Sequence, residues 1–329
     1  MTDRYHLASI FLATTSWSAA VRAPLAGDAS NRCYERLTDA VTGETAVLMD
    51  APPEKGEDIT AFTYIARYLC DQGLSAPRIL AEDTQHGFLL IEDLGDDLFA
   101  RIIQQNKSLE MPLYEAATDV LVALHDAPMP ELDPFGPRLM AELVEISFEK
   151  YGRNVNPNTI TRFVDRFEDI LRQTVVGDLV LVQRDYHAEN LLWLPNRKGV
   201  ARVGLLDFQA ARAGHRAYDL VSLLQDARRD VPAGVEMQMI DRYVTMSGVD
   251  EPGFRAAYTV LGVQRNLRIL GVFARLSLDF GKPQYVELIP RVWDHMIRGL
   301  EHPALAPIAD IVRDNMPTPT SEFLSQLKS

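Results

Sequence analysis

The sequence predicts an α+β fold in two lobes, a small antiparallel sheet with one main helix followed by a larger, mostly helical part. Three observations carry that reading. Short runs rich in Val, Leu and Tyr, separated by turn residues, occupy much of residues 21–94. Long stretches with helical apolar spacing take over from Asp96. The change falls near Leu94 and Gly95 with no internal repeat and no low-complexity linker, which favours two lobes sharing a cleft over two free domains.

Taken in order, the segment MTDRYHLASIFLATTSW reads as an amphipathic first helix. Residues 21–50 follow as three antiparallel strands, broken by GDASN and TDAVTGE. In EDITAFTYIARYLCDQG, residues 57–73, the apolar residues Ile59, Phe62, Ile65 and Leu69 recur at helical spacing between an acidic start and Gly73. Two more strands lie in APRILAEDTQHGFLLIEDLGDD around a turn at His86 and Gly87. Beyond Asp96, helices are expected over Leu113–His125, Asn158–Val175 and Ala257–Leu278, interrupted only by a loop and a hairpin. The hairpin strands are Leu191–Leu194 and Val200–Leu206, joined through a polar turn with Asn196 and Gly199.

Composition narrows the partners. At 329 residues, 47% hydrophobic and 24% charged, the chain is ordinary for a soluble protein with a sizeable core. A net charge of −13 without any basic run argues against nucleic acid, whose phosphates need clustered Lys and Arg. Two cysteines, Cys33 and Cys70, are too few for a disulfide framework and suit a reducing compartment, so a cytoplasmic protein is expected. Asp3 and His6 stand where a basic signal-peptide flank would be, and no run of about 18 apolar residues offers a membrane span.

The chemistry concentrates in QRDYHAEN, residues 183–190, and LLDFQ, residues 205–209. Asp185 and Asn190 have the D-x-x-x-x-N spacing of a phosphoryl-transfer loop, and the hairpin returns Asp207 beside it. An aspartate followed by Phe208 at the end of an apolar strand is costly without a cation or hydrogen-bond donors. Gly27, Asp28, Ala29, Ser30 and Asn31 would set small residues and backbone N–H groups near the β- and γ-phosphates of a nucleotide, although a plain hairpin turn accounts for the same letters.

These motifs resemble the aminoglycoside phosphotransferase family, a branch of the protein-kinase-like fold, over nearly the whole chain. The blocks GDASN (27–31), MDAPPE (49–54), LLIEDLGDD (89–97), QRDYHAENLL (183–192) and QRNLRILGVFARL (264–276) are similar to its anomeric sugar kinases, which phosphorylate N-acetylmuramate and N-acetylglucosamine at C1 in peptidoglycan recycling. The resemblance implies a bilobal fold with a nucleotide-binding N-lobe over 1–94 and a C-lobe over 95–329 that carries the catalytic loop, metal and sugar. It implies ATP and Mg²⁺, with Asp185 as catalytic base and Asn190 and Asp207 on the metal. Ile91–Leu94 becomes the hinge that meets adenine, placing Glu92, Asp93 and Leu94 at the nucleotide. Asp219 matches a structural aspartate at a helix start.

Two positions depart from the broad kinase pattern. Strand three offers Met49 where a lysine normally holds the phosphates, and Gln183 opens the loop in place of histidine. Arg32, after the glycine-containing loop, or Lys55, just past the strand, could supply the charge; a nucleotide-binding pseudokinase is the alternative. For the acceptor, His187, Arg212, Arg265, Asn266 and Arg268 are candidates, since arginine grips a carboxylate in bidentate fashion. His187 could equally brace the loop, and Arg265 and Arg268 could be plain surface charges. Aminoglycosides, choline and homoserine are the other acceptors that such a fold handles.

Overall fold

The computed structural model describes residues 4–25, 31–152 and 154–328. By contacts, the chain forms two compact units, one of residues 1–120 with 189–211 and the other of residues 121–188 with 212–329.

In the first unit, strands β1 (Val21–Pro24), β2 (Cys33–Thr38), β3 (Thr45–Asp50), β4 (Ile79–Asp83) and β5 (Phe88–Glu92) form one antiparallel sheet in the order β1-β2-β3-β5-β4. The three strands expected in 21–50 and the two around His86 and Gly87 are all present. Side chains alternate across a strand, so each strand gives the sheet two faces. On one face Leu37, Ala46, Leu48, Phe88 and Leu90 pack with Ala8, Phe11 and Leu12 of helix α1 (Arg4–Ala13). Arg4 ties that helix down through an ion pair with Asp50 and a bond to the His86 carbonyl at 2.8 Å. The opposite face presents Tyr34 and Arg36 of β2 opposite Met49 and Val47 of β3, with Leu89 and Ile91 of β5 beyond them.

The β4–β5 turn depends on Gly87, which has φ +74° and whose absent Cβ would lie 2.0 Å from the Ala51 carbonyl oxygen. Its own carbonyl accepts from the Ala51 amide at 2.8 Å, joining the turn to the end of β3. Helix α2 (Thr60–Asp71) buries Phe62, Ile65 and Leu69 of the expected apolar stripe. It starts at Thr60; residues 53–55 form a separate 3-10 turn that Gly56 closes at φ +81°, its N–H bonded to the Pro53 carbonyl.

Helix α3 (Phe99–Gln105) and the first part of α4 (Glu110–Asp126) also belong to this unit, as does the hairpin of β7 (Leu191–Trp193) and β8 (Val203–Leu205). The sheet ends at Glu92, near the boundary read from the sequence, but the unit continues past it because the hairpin is bonded to the segments on either side. Leu205 N–H donates to the Ser75 carbonyl at 2.9 Å, and Trp193 N–H to that of Asp97 at 2.8 Å. The second hairpin strand is shorter than expected. Residues 199–202 wind into a 3-10 turn that starts at Gly199, φ +56°, and the Ser75 hydroxyl holds the Ala201 carbonyl at 2.6 Å.

The second unit is mostly helical: α5 (Pro137–Glu142), α6 (Pro157–Thr174), α7 (Ala217–Leu224), α8 (Ala233–Ser247), α9 (Glu251–Leu278), α10 (Ile289–Leu300), α11 (Ala306–Asn315) and α12 (Ser321–Leu327). The three helices expected from the sequence appear as α4, α6 and α9. α6 opens on Asn156, whose side chain caps the first turn, with Pro157 in that turn; α9 opens in the same way on Asp250 and Pro252. The sequence reading missed a strand pair, β6 (Leu179–Val182) with β9 (Arg212–His215), in antiparallel register from Leu179 opposite His215 to Val182 opposite Arg212. Its strands have four residues each, and RAGH lacks a strand composition.

Candidate active site

The loop that carries Asp185 leaves β6 and is braced from α7. Asp219, in the first turn of α7 and fully buried, accepts the backbone N–H groups of Gln183 at 2.6 Å and Arg184 at 2.8 Å. Burial pushes its carboxyl up to about 7, against the two amides that pull it down. The Arg184 carbonyl accepts from Ser222 Oγ at 3.3 Å, and Arg184 holds φ +75°, a conformation costly for a side chain with a Cβ. Two anchored peptides and one left-handed residue thus fix the path of the chain into Asp185, which is half-buried. Gln183, where kinases carry histidine, is buried with its backbone held by Asp219.

His187 is 4% exposed, and its Nε2 lies 3.2 Å from Arg228 Nη1. A guanidinium only donates, so Nε2 is the acceptor and the ring proton sits on Nδ1. Burial first, then Arg228 and Arg265, hold its pKa well below the ordinary value, so the ring is neutral. Of the other acceptor candidates, Arg265 is buried and donates to Ser222 Oγ at 2.8 Å, so it is no surface charge. Asn266 is fully buried and donates to Gln225 Oε1 at 2.8 Å, which gives one edge of its amide a core partner. Arg268 is half-buried on the next turn of α9, and Arg212 begins β9 with Asp133 3.8 Å away.

In the first unit a cavity of about 590 Å³ is walled by Val47, Ile91, Leu94, Leu98, Leu192 and Leu206, with Glu92, Asp93, Asn190, Asp207 and Gln209 on its polar side. Glu92, Asp93 and Leu94, the residues expected at a hinge, therefore meet Asn190 and Asp207 around one space. The hinge carboxylates are engaged by arginines. Asp93 takes both oxygens to Arg36, at 2.6 and 3.1 Å, and Arg36 also binds Asp96 at 2.8 Å. Glu92 accepts from Arg197 at 2.6 Å and Arg78 at 3.1 Å. With both carboxylates engaged, what this segment offers a ligand is backbone and apolar surface, which suits a flat, neutral heterocycle.

Asp207 follows β8 at φ +57°, held by Leu206 N–H bonding the Asn190 carbonyl at 3.0 Å and by Phe208, fully buried against Phe62 of α2 with centroids 4.9 Å apart. Asn190 Nδ2 lies 3.4 Å from one carboxylate oxygen and Gln209 Nε2 2.6 Å from the other. Among the described residues no three His, Cys, Asp or Glu gather as a self-sufficient metal cage. An amide oxygen and a carboxylate side by side nevertheless fit Mg²⁺, which is usually held by one or two carboxylates together with substrate phosphates and water. Arg36 and Gln209 escaped the sequence reading; the period-2 face shared by Tyr34, Arg36 and Val47 was the signal for the first.

Of the expected phosphate-loop residues, Gly27, Asp28, Ala29 and Ser30 lie outside the described residues. Asn31 and Arg32 are placed. Asn31 N–H donates to Glu57 Oε1 at 3.1 Å, and Arg32 Nε to Glu57 Oε2 at 2.7 Å. Met49 is fully buried, so strand three carries no cation there.

A five-stranded antiparallel sheet ahead of a helical unit, with Asn190 and Asp207 on one cavity, describes a protein-kinase-like phosphotransferase. Solved structures agree on the fold: choline kinase LicA from Streptococcus pneumoniae matches with a TM-score of 0.61 at 15% identity, covering 92% of this chain and 99% of that one. A putative aminoglycoside phosphotransferase from Ralstonia eutropha matches with a TM-score of 0.65 at 13% identity, covering 95% and 99%. The phosphotransferase enzyme family matches residues 21–258, and the chain belongs to that family. Among curated relatives, the N-acetylmuramate/N-acetylglucosamine kinase of Caulobacter vibrioides is 37% identical over 93% of this chain and 94% of its own length. Its namesake in Pseudomonas aeruginosa is 30% identical over 88% and 87%. Among the described residues no helix is long and apolar enough to cross a membrane.

Proposed function

We propose that the protein uses ATP and Mg²⁺ to phosphorylate the anomeric hydroxyl of N-acetylmuramate and N-acetylglucosamine, giving sugar 1-phosphates in the cytoplasm for peptidoglycan recycling. The observation that carries this reading is the near full-length likeness to kinases named for those two sugars, at 37% identity over 93% of the chain. The retained Asp185, Asn190 and Asp207 favour an active kinase over a nucleotide-binding remnant.

The lobes then divide as read from the sequence, with nucleotide on 1–94 and acceptor on 95–329, the hairpin of β7 and β8 bringing metal-binding side chains to the nucleotide. Adenine occupies the cavity walled by Val47 and Ile91, against the backbone of Glu92, Asp93 and Leu94. Asn190 and Asp207 hold Mg²⁺. Bound there with the nucleotide, the ion neutralises charge on the phosphates being parted. Asp185, fixed by the brace from Asp219, accepts a hydrogen bond from the attacking hydroxyl, aligns it in line with the γ-phosphorus and takes its proton late. An anomeric hydroxyl is more acidic than other sugar hydroxyls, so modest basicity suffices. His187 and Arg265, with Arg212, Arg268 and Asn266 as further candidates, face the task of holding the sugar. A neutral imidazole suits hydroxyls, and a guanidinium suits the carboxylate that N-acetylmuramate carries and N-acetylglucosamine lacks.

The test is a substrate panel read by ADP release, with the product examined by phosphorus NMR. The expected result is turnover with both amino sugars, to a product without a reducing end that shows phosphorus coupling to the anomeric proton, and background rates with kanamycin and choline. A reducing 6-phosphate, or turnover confined to an aminoglycoside, would overturn the anomeric assignment. Nucleotide binding without ADP from any sugar would mark a pseudokinase.

A further inference from the structure

N-acetylmuramate and N-acetylglucosamine differ in one charged group: the muramate carries a lactyl carboxylate on C3, where the glucosamine has a hydroxyl. To tell them apart by that group, a site needs a cation within a ring's reach of the base, set on fixed backbone and without a carboxylate partner of its own. The arginines read from the sequence meet this poorly. Arg265 spends Nη2 on Ser222 Oγ at 2.8 Å, and its Nη1 is sealed from solvent. Arg212 has Asp133 3.8 Å away. Arg268, half-buried on α9, remains as a competing cation, with Arg184 in its neighbourhood.

Arg228 meets the requirement. It lies in the turn that follows α7, and the backbone is pinned on both sides of it. Asp226 Oδ1 accepts the Arg228 N–H at 2.8 Å, while Arg291 of α10 donates to the Ala227 carbonyl at 2.8 Å and to Asp230 at 2.5 Å. The side chain itself is exposed, and its Nη1 donates to His187 Nε2 at 3.2 Å. His187 stands two residues past Asp185, at most about 7 Å along the chain, a span that one sugar ring and its substituent can bridge. Among the described residues, Arg228 Nε and Nη2 have no partner and no carboxylate is paired with the guanidinium. Asp226 feels the charge, but it is 1% exposed, its Oδ1 is taken by the backbone, and it forms no ion pair with Arg228. An imidazole accepts one hydrogen bond without cancelling the charge. The guanidinium therefore keeps both a positive charge and an open edge, and such an edge grips a carboxylate through two parallel N–H bonds.

We propose that Arg228 recognises the lactyl carboxylate of N-acetylmuramate, with His187 aiming the guanidinium, and that it sets the preference between the two sugars. The inference rests on the proposed sugar reaction and adds to it a specificity-determining residue.

The test compares kcat/KM for N-acetylmuramate, N-acetylglucosamine and an N-acetylmuramate whose carboxylate is converted to the carboxamide. Arg228→Met keeps an apolar stem and removes the charge. It should lower the ratio of N-acetylmuramate to N-acetylglucosamine kcat/KM roughly 10- to 100-fold, the scale of a lost charge-assisted contact, chiefly through KM for the muramate. The wild type should prefer the acid to its carboxamide by a similar factor, and Arg228→Met should no longer distinguish the two. Arg228→Lys should retain part of the preference, since it keeps the charge and loses the fork. An equal fall with both sugars would show an arginine that only supports His187. An unchanged ratio in Arg228→Met, or its loss in Arg268→Met instead, would give the carboxylate to another residue; each of these results overturns the proposal. The acid and carboxamide comparison needs no variant, and equal turnover of the two by the wild type overturns it as well. In all these cases the sugar reaction itself stands, whereas turnover of neither sugar by the wild type overturns that reaction and this inference together.

Discussion

Asp207 holds φ +57° with Gln209 and Asn190 donating to its two oxygens, a conformation and a set of partners that a simple surface turn would not require. The role proposed for it predicts that Asp207→Ala weakens Mg·ATP binding itself, because the ion's charge is no longer held against the phosphates. Thermal stabilisation by ATP that survives in magnesium would remove Asp207 from the metal. Asp185→Asn predicts a different pattern: turnover falls by roughly 10² or more, the usual scale for a positioned base, while nucleotide stabilisation persists. Near wild-type kcat would refute that assignment. These two residues were legible because the D-x-x-x-x-N spacing is local and one short hairpin brings the next aspartate back. Arg36, Gln209 and Arg228 were harder to find, since each acquires its meaning from a partner that only the folded chain brings near. Asn266, a candidate for the sugar from its place in the QRNLRILGVFARL block, has its amide nitrogen bonded to Gln225 in the core, a partner 41 residues away that the sequence does not show.

At the scale of elements, alternation and turn chemistry were enough to find all five strands of the large sheet, because one of its faces is buried under α1 and the pattern of Leu37, Ala46, Leu48, Phe88 and Leu90 has to repeat at period two. The β6–β9 pair was illegible for the opposite reason. Two strands of four residues give too few alternations to read, and their pairing spans the whole loop and hairpin between them. The second hairpin strand was overestimated because Val200 and Ala201 look extended, whereas the hydroxyl of the distant Ser75 bonds the Ala201 carbonyl within a 3-10 turn. Turn chemistry also makes a sharp prediction at Gly87. An alanine there meets both a positive φ and the Ala51 carbonyl at 2.0 Å, so the turn must shift or the β3 end must release its bond. Gly87→Ala should cost about 1–3 kcal/mol in denaturant unfolding, within the range typical of destabilising substitutions. A midpoint equal to wild type would mean that the turn relaxes freely.

For the molecule as a whole, pH is the variable that sums its buried charges, and the sequence alone could not say which of its seven histidines are shielded. His125 is buried with Nδ1 2.7 Å from the Tyr243 hydroxyl, and burial with Arg216 and His215 nearby pulls its pKa down to about 3. Burial, with Arg216 close by, likewise takes His215 down to about 4, and His187 is lowered as well. A histidine depressed in the folded state binds its proton in the unfolded chain first, so the stability that it confers is complete above about 6.5 and is lost as pH falls toward the folded value. Asp219 works in the other sense. Raised to about 7, it favours the folded state at low pH and gives up that contribution as pH climbs from about 4 to 7. Burial lowers His295 as well, and it raises the Asp226 and Glu145 carboxyls as it does that of Asp219; with four histidines lowered, the thermal midpoint should rise between about pH 4.5 and 6.5. His125→Gln should flatten that rise whatever it does to the midpoint at pH 7, because the unfolded chain then has one proton fewer to gain. The slope is what distinguishes the two effects: a lower midpoint with an unchanged slope would mean that His125 packs but does not titrate on unfolding, and would end the assignment.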